Sequence, residues 1–347
     1  MQDIIELNYS ISVKKSPNSG IEILKIILTF LILVYHSLSE NIDDNETLKI
    51  FIQIVPLYFS TFFLIFFYFI YNIFSSRNNS KIKERFTRIL IPYLYWPFLF
   101  SVLNIISTDK KIKKNHIIRD LFIQIIIGRR IYFVFWFQFN LIIISLIFTI
   151  ILFSFKKFHI NIFLAIFLFA YFFEYLGFSE KFFSSYNEEI KRSIGRTLKM
   201  MIFAITGFFL SSIKMLNHLK YHKIKSILLS VVSFVIIIYL KIYFSDYYFL
   251  EGIFLILGSI SLLIAFALLP LSNITNMTVV FLIKQSTSYT AGVYYLHVKV
   301  LRYFEDSIDI FKDGELRGCA LNYLICYSIC FIGMKLFGKT KFKYLFI

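Results

Sequence analysis

Ten long apolar runs, separated by short polar loops, constrain the fold of this chain more than any other feature. A run of about 17–25 apolar residues can cross a bilayer as an α-helix, because the helix satisfies its own backbone hydrogen bonds. The pattern predicts an all-α polytopic membrane protein, a bundle of about ten transmembrane helices. The runs fall at 21–38, 50–74, 89–107, 132–155, 160–178, 199–213, 226–244, 252–270, 289–304 and 319–337, and those at 199–213 and 289–304 are short enough to be tilted partners.

Composition supports this class. Apolar residues make up 58% of the 347 residues, compared with about 45–50% in soluble domains. The mean hydropathy is +0.71. The formal net charge of +16 comes mostly from clusters between the apolar runs, where basic residues anchor helices to the membrane surface and attract anionic head groups or phosphates. Nucleic acid is therefore not an expected partner, whereas membrane lipids are.

The charges of the loops predict an orientation. Loops at 75–88 and 214–225 and the segment 338–344 are basic, whereas 39–47 is acidic. Basic loops favour the cytoplasmic side, so an even number of spans places both termini in the cytoplasm. The basic segment 108–120 falls on the outer side in this arrangement, and we interpret it as an interfacial segment.

Short loops leave room for one membrane domain. We expect a cytoplasmic N-terminal segment at 1–20, a membrane domain at 21–337 and a cytoplasmic basic tail at 338–347. The first apolar run contains charges and has no small-residue cleavage site after it, which indicates a retained helix rather than a signal peptide. The three cysteines, Cys319, Cys326 and Cys330, all fall in the last run. No histidine or carboxylate set accompanies them, so buried packing is predicted and no metal site.

Ionisable residues form a stripe inside the first run. Each residue of an α-helix advances about 100°, so Glu22, Lys25, Thr29 and His36 fall within about 60° of one another. The intervening residues are apolar or aromatic and suit lipid or neighbouring helices. The stripe is therefore expected to face the protein interior or a water-filled cavity, since buried ionisable groups are costly in a membrane.

The distance between the two ends of the stripe suggests a kind of ligand. Lys25 and His36 are separated by about 16 Å of helical rise, which is comparable with a phosphopantetheine arm. A cation near the cytoplasm could thus hold the nucleotide end of an acyl-CoA while the thioester reaches His36, whose near-neutral pKa suits proton transfer. A structural alternative is that Lys25 extends to the interface and pairs with Glu22 at i, i+3.

Several motifs, in their order, resemble the acyltransferase 3 family of integral-membrane O-acyltransferases. In the first helix the family has an acidic residue three positions before a basic one, followed by ten residues and a histidine. The resemblance covers about residues 18–337. Its motifs are IEILK with His36, VPLYFSTFFLIFFYFI (55–70), KERFTRILIPYLYW (83–96), FWFQFNLIII (135–144), GRTLKMMIFAITGFFL (195–210) and SYTAGVYYLHVKVL (288–301). In this chain Lys25 stands where arginine is commonest, and Val134 where many relatives have histidine.

The resemblance implies catalytic roles for the stripe. His36 would act as a general base on an acceptor hydroxyl or as a nucleophile that forms an acyl-imidazole, and the sequence does not separate these. Glu22 and Lys25 would shape the stripe, with Lys25 offering positive charge to the acyl-CoA. Glu40, one turn beyond His36, could orient the imidazole or be solvated.

Further site residues follow from the resemblance. Arg85 and Arg88, at i, i+3 in the first turns of the third helix, would bind the nucleotide of acyl-CoA, although positive-inside anchoring is an alternative. Tyr294 and His297 would line the pocket, and His297 is expected to contact His36 or substrate. Trp136 would line the pocket too, or belong to the aromatic belt at the membrane surface.

The expected function is transfer of an acyl group, most simply acetyl, from cytoplasmic acyl-CoA to a sugar hydroxyl. The acceptor would belong to a surface polysaccharide, glycolipid or lipid-linked precursor at the cytoplasmic membrane. Acyl-CoA would be a substrate rather than a tightly bound cofactor, and no metal is implied. Two alternatives are a transporter or flippase without covalent chemistry, and a membrane scaffold or receptor in which the stripe is dispensable.

Overall fold

A computed structural model describes residues 19–38, 46–75, 78–107, 114–128, 135–155, 157–176, 188–244, 247–269, 277–305 and 316–347. Within these ranges every long element is an α-helix, which confirms the predicted all-α class. The helices of at least 14 residues are α1 (Ser19–Leu38), α2 (Glu46–Ser75), α3 (Asn79–Ser107), α4 (Lys114–Ile127), α5 (Trp136–Ser154), α6 (His159–Tyr175), α7 (Glu188–Ser212), α8 (Lys223–Tyr243), α9 (Tyr248–Leu268), α10 (Met277–Glu305) and α11 (Leu316–Phe337).

Seven of the helices described are long and apolar enough to cross a membrane, namely α1, α2, α5, α7, α8, α9 and α11. A multi-pass membrane protein is thereby indicated. The predicted number of about ten spans is not confirmed, because α3, α4, α6 and α10 are not among the seven. The cytoplasmic placement of both termini stays a prediction.

Two helices are longer than the apolar runs suggested. The runs at 199–213 and 289–304 were short, but α7 has 25 residues and α10 has 29. In α7 the added residues are mostly polar, and in α10 a polar stretch at 284–288 separates the apolar first turns from the run at 289, so hydropathy alone does not identify these parts as helical. These additional residues bring polar and charged side chains of α7 and α10 into the bundle, close to the candidate site.

Helix α1 is enclosed by four other helices. It packs against α2, α9, α10 and α11, and its residues Leu24, Leu28 and Ile32 are almost fully buried. A helix enclosed in this way must turn its polar stripe toward protein or an internal cavity.

Close contacts with α7 and α9 fix the position of α2, a neighbour of α1. A Cβ atom at Gly207 of α7 would overlap the carbonyl oxygen of Leu64 in α2, so glycine permits this contact. Thr61 of α2 donates a buried hydrogen bond to the Ser259 hydroxyl of α9, at 3.2 Å. These contacts hold α2 between α7 and α9, and α2 also packs against α1.

The C-terminal segment packs onto the helical domain. Residues Lys341–Leu345 form a 3-10 helix, and the indole Nε1 of Trp96 in α3 donates a hydrogen bond to the carbonyl oxygen of Leu345 at 3.2 Å. The segment 338–347, predicted as a cytoplasmic basic tail, thus contacts α3, and its cytoplasmic location stays a prediction.

The cysteines of α11 are buried free thiols, as the sequence predicted. Cys326 donates to the Asn322 side-chain oxygen at 3.3 Å, and Asn322 in turn donates to the backbone carbonyl of His297 in α10, at 3.1 Å. The thiols therefore belong to the packing that fixes α10 against α11.

Candidate active site

The polar stripe of α1 faces an internal cavity of about 760 Å³. Glu22, Lys25 and Thr29 all line this cavity, which confirms that the stripe is turned inward. The Thr29 hydroxyl donates to the carbonyl oxygen of Lys25 at 2.9 Å, so it is satisfied within the helix. The volume lies within the roughly 300–1,000 Å³ typical of small-molecule sites.

Five helices supply most of the wall. Aromatic and aliphatic side chains cover much of it, including Phe62, Phe66 and Phe69 of α2 and Leu141 of α5. The polar part comes from α1, from the first turns of α3 and from the early turns of α10, where Gln285, Thr287 and Ser288 line the cavity. The cavity thus combines apolar walls with a few convergent polar groups.

Basic side chains converge on this cavity. Lys25, Arg85 and Arg88 all line it, and the charged groups that act most strongly on Lys25 are Arg85 and Glu22. Glu22 is the carboxylate that lines the cavity with these three cations, and Glu84 lies against Arg88, so the cavity keeps a positive balance. Such a balance favours an anionic ligand, and arginine forks suit phosphate or carboxylate.

The two arginines differ in their surroundings. Arg88 is exposed and donates to the Glu84 carboxylate at 2.6 Å, with both side chains more than 40% exposed. The hydrogen bond and charge of Arg88 lower the pKa of Glu84 from its ordinary value. Arg85 is half-buried and points into the cavity. Arg85 is therefore the better placed of the two for a ligand.

Two histidines stack beyond the described wall of this cavity. The rings of His36 in α1 and His297 in α10 have centroids 5.2 Å apart and planes 28° apart. His297 was expected to contact His36 or substrate, and the structure places its ring against that of His36. His297 is 1% exposed, whereas His36 is half-buried, so His36 is the more accessible member of the pair.

A backbone hydrogen bond fixes the tautomer of His297. Its Nδ1 lies 2.6 Å from the carbonyl oxygen of Tyr294, and a carbonyl can only accept, so Nδ1 carries the proton. In the neutral ring Nε2 then has a free lone pair. Nε2 is buried and has no hydrogen-bond partner among the described residues, so it is available to accept a proton or a hydrogen bond.

Tyr294 connects the cavity to the histidine pair. It lines the cavity, and its ring centroid lies 5.7 Å from that of His297. The ring also contacts Phe137 at 5.5 Å, and Phe137 lines the cavity as well. Both side chains line the cavity. On the side away from it, Tyr294 contacts His297 and Phe137 contacts Trp136.

Trp136 lies at the start of α5 and is not among the described lining residues of the cavity. Its ring contacts Phe59 of α2 at 5.1 Å and Phe137 at 6.0 Å. The Arg196 guanidinium carbon of α7 lies 5.1 Å from the Trp136 ring centroid. Trp136 therefore sits next to the site, within the helix bundle, in contact with a cation that the sequence did not single out.

Sequence reasoning missed two groups of site residues. Arg196 lay outside the apolar run that began at 199, and although the motif at 195–210 contains it, no site role was assigned to it. Gln285, Thr287 and Ser288 likewise precede the run at 289. A polar stretch next to a membrane run was the available signal. Glu40 and Val134 lie outside the described residues.

The fold and site define a class: a polytopic helical membrane protein with a cationic internal cavity beside a buried histidine pair. This arrangement can hold an anionic ligand near a group capable of proton transfer. The chain belongs to the acyltransferase 3 family, since the family model described as an acyltransferase domain matches residues 18–345. No curated protein and no solved structure gives a significant match.

Proposed function

We propose that this protein is a membrane O-acyltransferase of the cytoplasmic membrane that uses an acyl-CoA, most simply acetyl-CoA, as donor. Membership of the family supports acyltransferase activity. The observation that supports acyl-CoA as the donor is the cavity in which Lys25, Arg85 and Arg88 converge. Their positive charge matches the phosphates of coenzyme A, which bears several negative charges at neutral pH.

The position of the histidines supports an orientation for the bound acyl-CoA. Lys25 and His36 are about 16 Å apart along α1, and Tyr294 connects the cavity to His297. With its nucleotide at Lys25 and Arg85, the extended arm of an acyl-CoA would bring the thioester carbonyl toward His36. The cytoplasmic side of the membrane then supplies the donor at the Arg85 end.

The acceptor in this proposal is a sugar hydroxyl of a surface polysaccharide, a glycolipid or a lipid-linked precursor. The hydroxyl oxygen bonds to the thioester carbonyl carbon, the C–S bond breaks, and the thiolate leaves with a proton as free coenzyme A. His36 takes the hydroxyl proton as general base, and the lone pair at His297 Nε2 lies in the adjacent stacked ring. In the alternative route His36 is acylated first and the hydroxyl attacks the acyl-imidazole.

Transfer of label tests this function. Membranes containing the protein are incubated with acetyl-CoA labelled in the acetyl group and with a cell-surface glycan extract, and alkali-labile label in the glycan is counted. We expect transfer with the wild type and loss of at least about 100-fold in His36→Ala, the size of a general-base contribution. His218→Ala, on an exposed turn, serves as the matched control and should transfer at the wild-type rate.

Two outcomes would overturn parts of the proposal. Undiminished transfer by His36→Ala would remove His36 from the chemistry. Absence of transfer from any acyl-CoA by correctly folded wild type would favour a transporter or scaffold. Acyl label retained on the protein before acceptor is added, and released by hydroxylamine, would select the covalent route over the general-base route.

A further inference from the structure

Arg196 lies between the polar first turns of α7 and the apolar run from 199, and it has no part in the chemistry described so far. It lies eight residues into α7, about 12 Å from the first residue of the helix. α7 is one of the helices able to span a membrane. Charged residues within or beside a spanning segment are rare and usually mark functional positions.

Arg196 lies close to the histidine pair. Its guanidinium carbon lies 5.1 Å from the Trp136 ring centroid, and its charge acts on the Tyr294 hydroxyl. Tyr294 contacts His297 at 5.7 Å. Arg196 is therefore one aromatic side chain away from the catalytic pair.

Arg196 and Trp136 form a unit distinct from the donor cavity. Neither is among the described lining residues, whereas their neighbours Tyr294 and Phe137 are. The phosphates of the donor already meet three cations, Lys25, Arg85 and Arg88, within the cavity. A fourth cation outside that lining is placed to meet a different reactant.

The chemistry of this unit selects a kind of ligand. A guanidinium stacked on an aromatic face keeps its N–H donors in its own plane, where they can form a fork with a carboxylate or phosphate. An indole offers a flat apolar surface to the C–H face of a sugar ring. Trp136 and Arg196 are both half-buried, so each keeps some accessible surface.

We infer that Trp136 and Arg196 form an acceptor subsite for a sugar that carries a carboxylate or phosphate group. Arg196 binds the anionic group, and Trp136 stacks on the ring, so that a hydroxyl is directed toward His36. This inference depends on the proposed function, because the sugar enters as the acyl acceptor. Arg196 is a positioning residue and takes no part in bond making.

Steady-state kinetics test the subsite through the acceptor rather than the donor. Three acceptors are compared with purified protein and acetyl-CoA: an oligosaccharide containing glucuronic acid, its carboxyl-reduced neutral form and a sugar phosphate. Arg196→Gln should raise KM for the anionic acceptors by about 10-fold or more, the size of one charge-assisted interaction. KM for acetyl-CoA should stay within about twofold, and Arg196→Lys, which keeps the charge, should give an intermediate value.

The matched control is Arg192→Gln, one turn earlier on α7. Arg192 is 57% exposed and lies 3.6 Å from the Glu188 carboxylate, so its loss should leave all three acceptors unchanged. A preference of the wild type for the uronic acid or for the sugar phosphate identifies the anionic group. An equal loss for the anionic and neutral acceptors in Arg196→Gln, or no preference for either anion, would overturn the subsite.

Binding without transfer separates this inference from the proposed function. The chain has two tryptophans, so Trp96→Phe leaves Trp136 as the sole indole fluorophore. We expect saturable changes in its emission with the anionic oligosaccharide, weaker changes with the neutral form, and loss of the difference in Arg196→Gln. Emission that responds in a protein unable to transfer acyl groups would refute the function and keep the subsite. Transfer without an anion-dependent response would refute the subsite and keep the function.

Discussion

The imidazole rings of His36 and His297 stack with their centroids 5.2 Å apart. One ring comes from α1 and the other from α10, and the carbonyl oxygen of His297 accepts a hydrogen bond from Asn322 of α11 at 3.1 Å. Three helices thus define the position of this pair. A buried histidine held at Nδ1 by a backbone carbonyl presents Nε2 as its reactive edge.

Replacement of His297 should therefore affect turnover more than binding. In His297→Asn the amide can still donate to the Tyr294 carbonyl, but the Nε2 lone pair is lost. We expect kcat to fall by about 10- to 100-fold, less than the roughly 100- to 10,000-fold of a direct general base because His297 acts beside His36, with KM for acetyl-CoA within about twofold. Initial rates of labelled acetyl transfer measure both constants.

The comparison variant for His297 is His222→Asn, on an exposed turn, which should behave as wild type. Thermal unfolding in detergent shows whether His297→Asn remains folded. Unchanged kcat in a folded His297→Asn protein would show that the stacked ring has no role in turnover.

Lys25 should contribute to the binding of the donor, acetyl-CoA. It lines the cavity beside Arg85, and a charge-assisted interaction contributes about 1.5–3 kcal/mol, equivalent to roughly 10- to 100-fold in affinity. Lys25→Met should raise KM for acetyl-CoA by that factor, whereas Lys25→Arg should restore it to near the wild-type value. Binding of a non-hydrolysable acetyl-CoA analogue, followed by calorimetry, gives the affinity directly.

Lys335→Met is the control for Lys25, because Lys335 is exposed in the last turn of α11. It should leave donor affinity unchanged. Equal affinities for wild type and Lys25→Met would remove Lys25 from the donor site and support its interpretation as an interfacial anchor.

Arg85 and Arg88 should differ in their contribution to donor binding. Arg88 is 43% exposed and already donates to Glu84, and exposed ion pairs contribute little because water and salt screen them. Arg85 is half-buried at the cavity wall. Donor KM should rise by about 10-fold in Arg85→Gln and by less than about threefold in Arg88→Gln. The reverse order in the same assay would contradict this reading of the cavity.

A charged cluster away from the site should contribute to stability. Glu251 of α9 lies 3.7 Å from the Lys199 ammonium of α7 and 3.9 Å from that of Lys241 in α8. Lys241 is buried and also donates to the Gln53 carbonyl of α2. Glu251→Gln removes a carboxylate shared by two lysines, and loss of one partner of a buried pair costs up to about 3–5 kcal/mol. Because Glu251 is 20% exposed, we expect about 1–3 kcal/mol and a lower Tm in detergent.

Glu188→Gln provides the comparison for Glu251. Glu188 also faces two cations, Lys191 and Arg192, but it is 66% exposed, so its replacement should change Tm by less than about 1 °C. Donor and acceptor KM should be unchanged in Glu251→Gln. Equal Tm values for the two variants would show that the cluster does not lock α7, α8 and α9 together.

Helical periodicity determined the inward stripe. The 100° advance per residue requires Glu22, Lys25, Thr29 and His36 to share one face of any helix they form, and burying charge in lipid is costly enough to turn that face inward. The class of protein followed from the lengths of the apolar runs for the same local reasons. The motifs identified the family, and the family model confirmed it over residues 18–345.

Tertiary structure alone decided which distant side chains meet. No local rule relates His36 to His297, Lys25 to Arg85, or Trp136 to Arg196, because each pair depends on how separate helices pack. Hydropathy also placed the start of α7 at 199 rather than Glu188, since polar residues lower the apolar signal even where the helix continues. The sequence thus specified one inward face of α1, and packing of the other helices against it determined what that face meets.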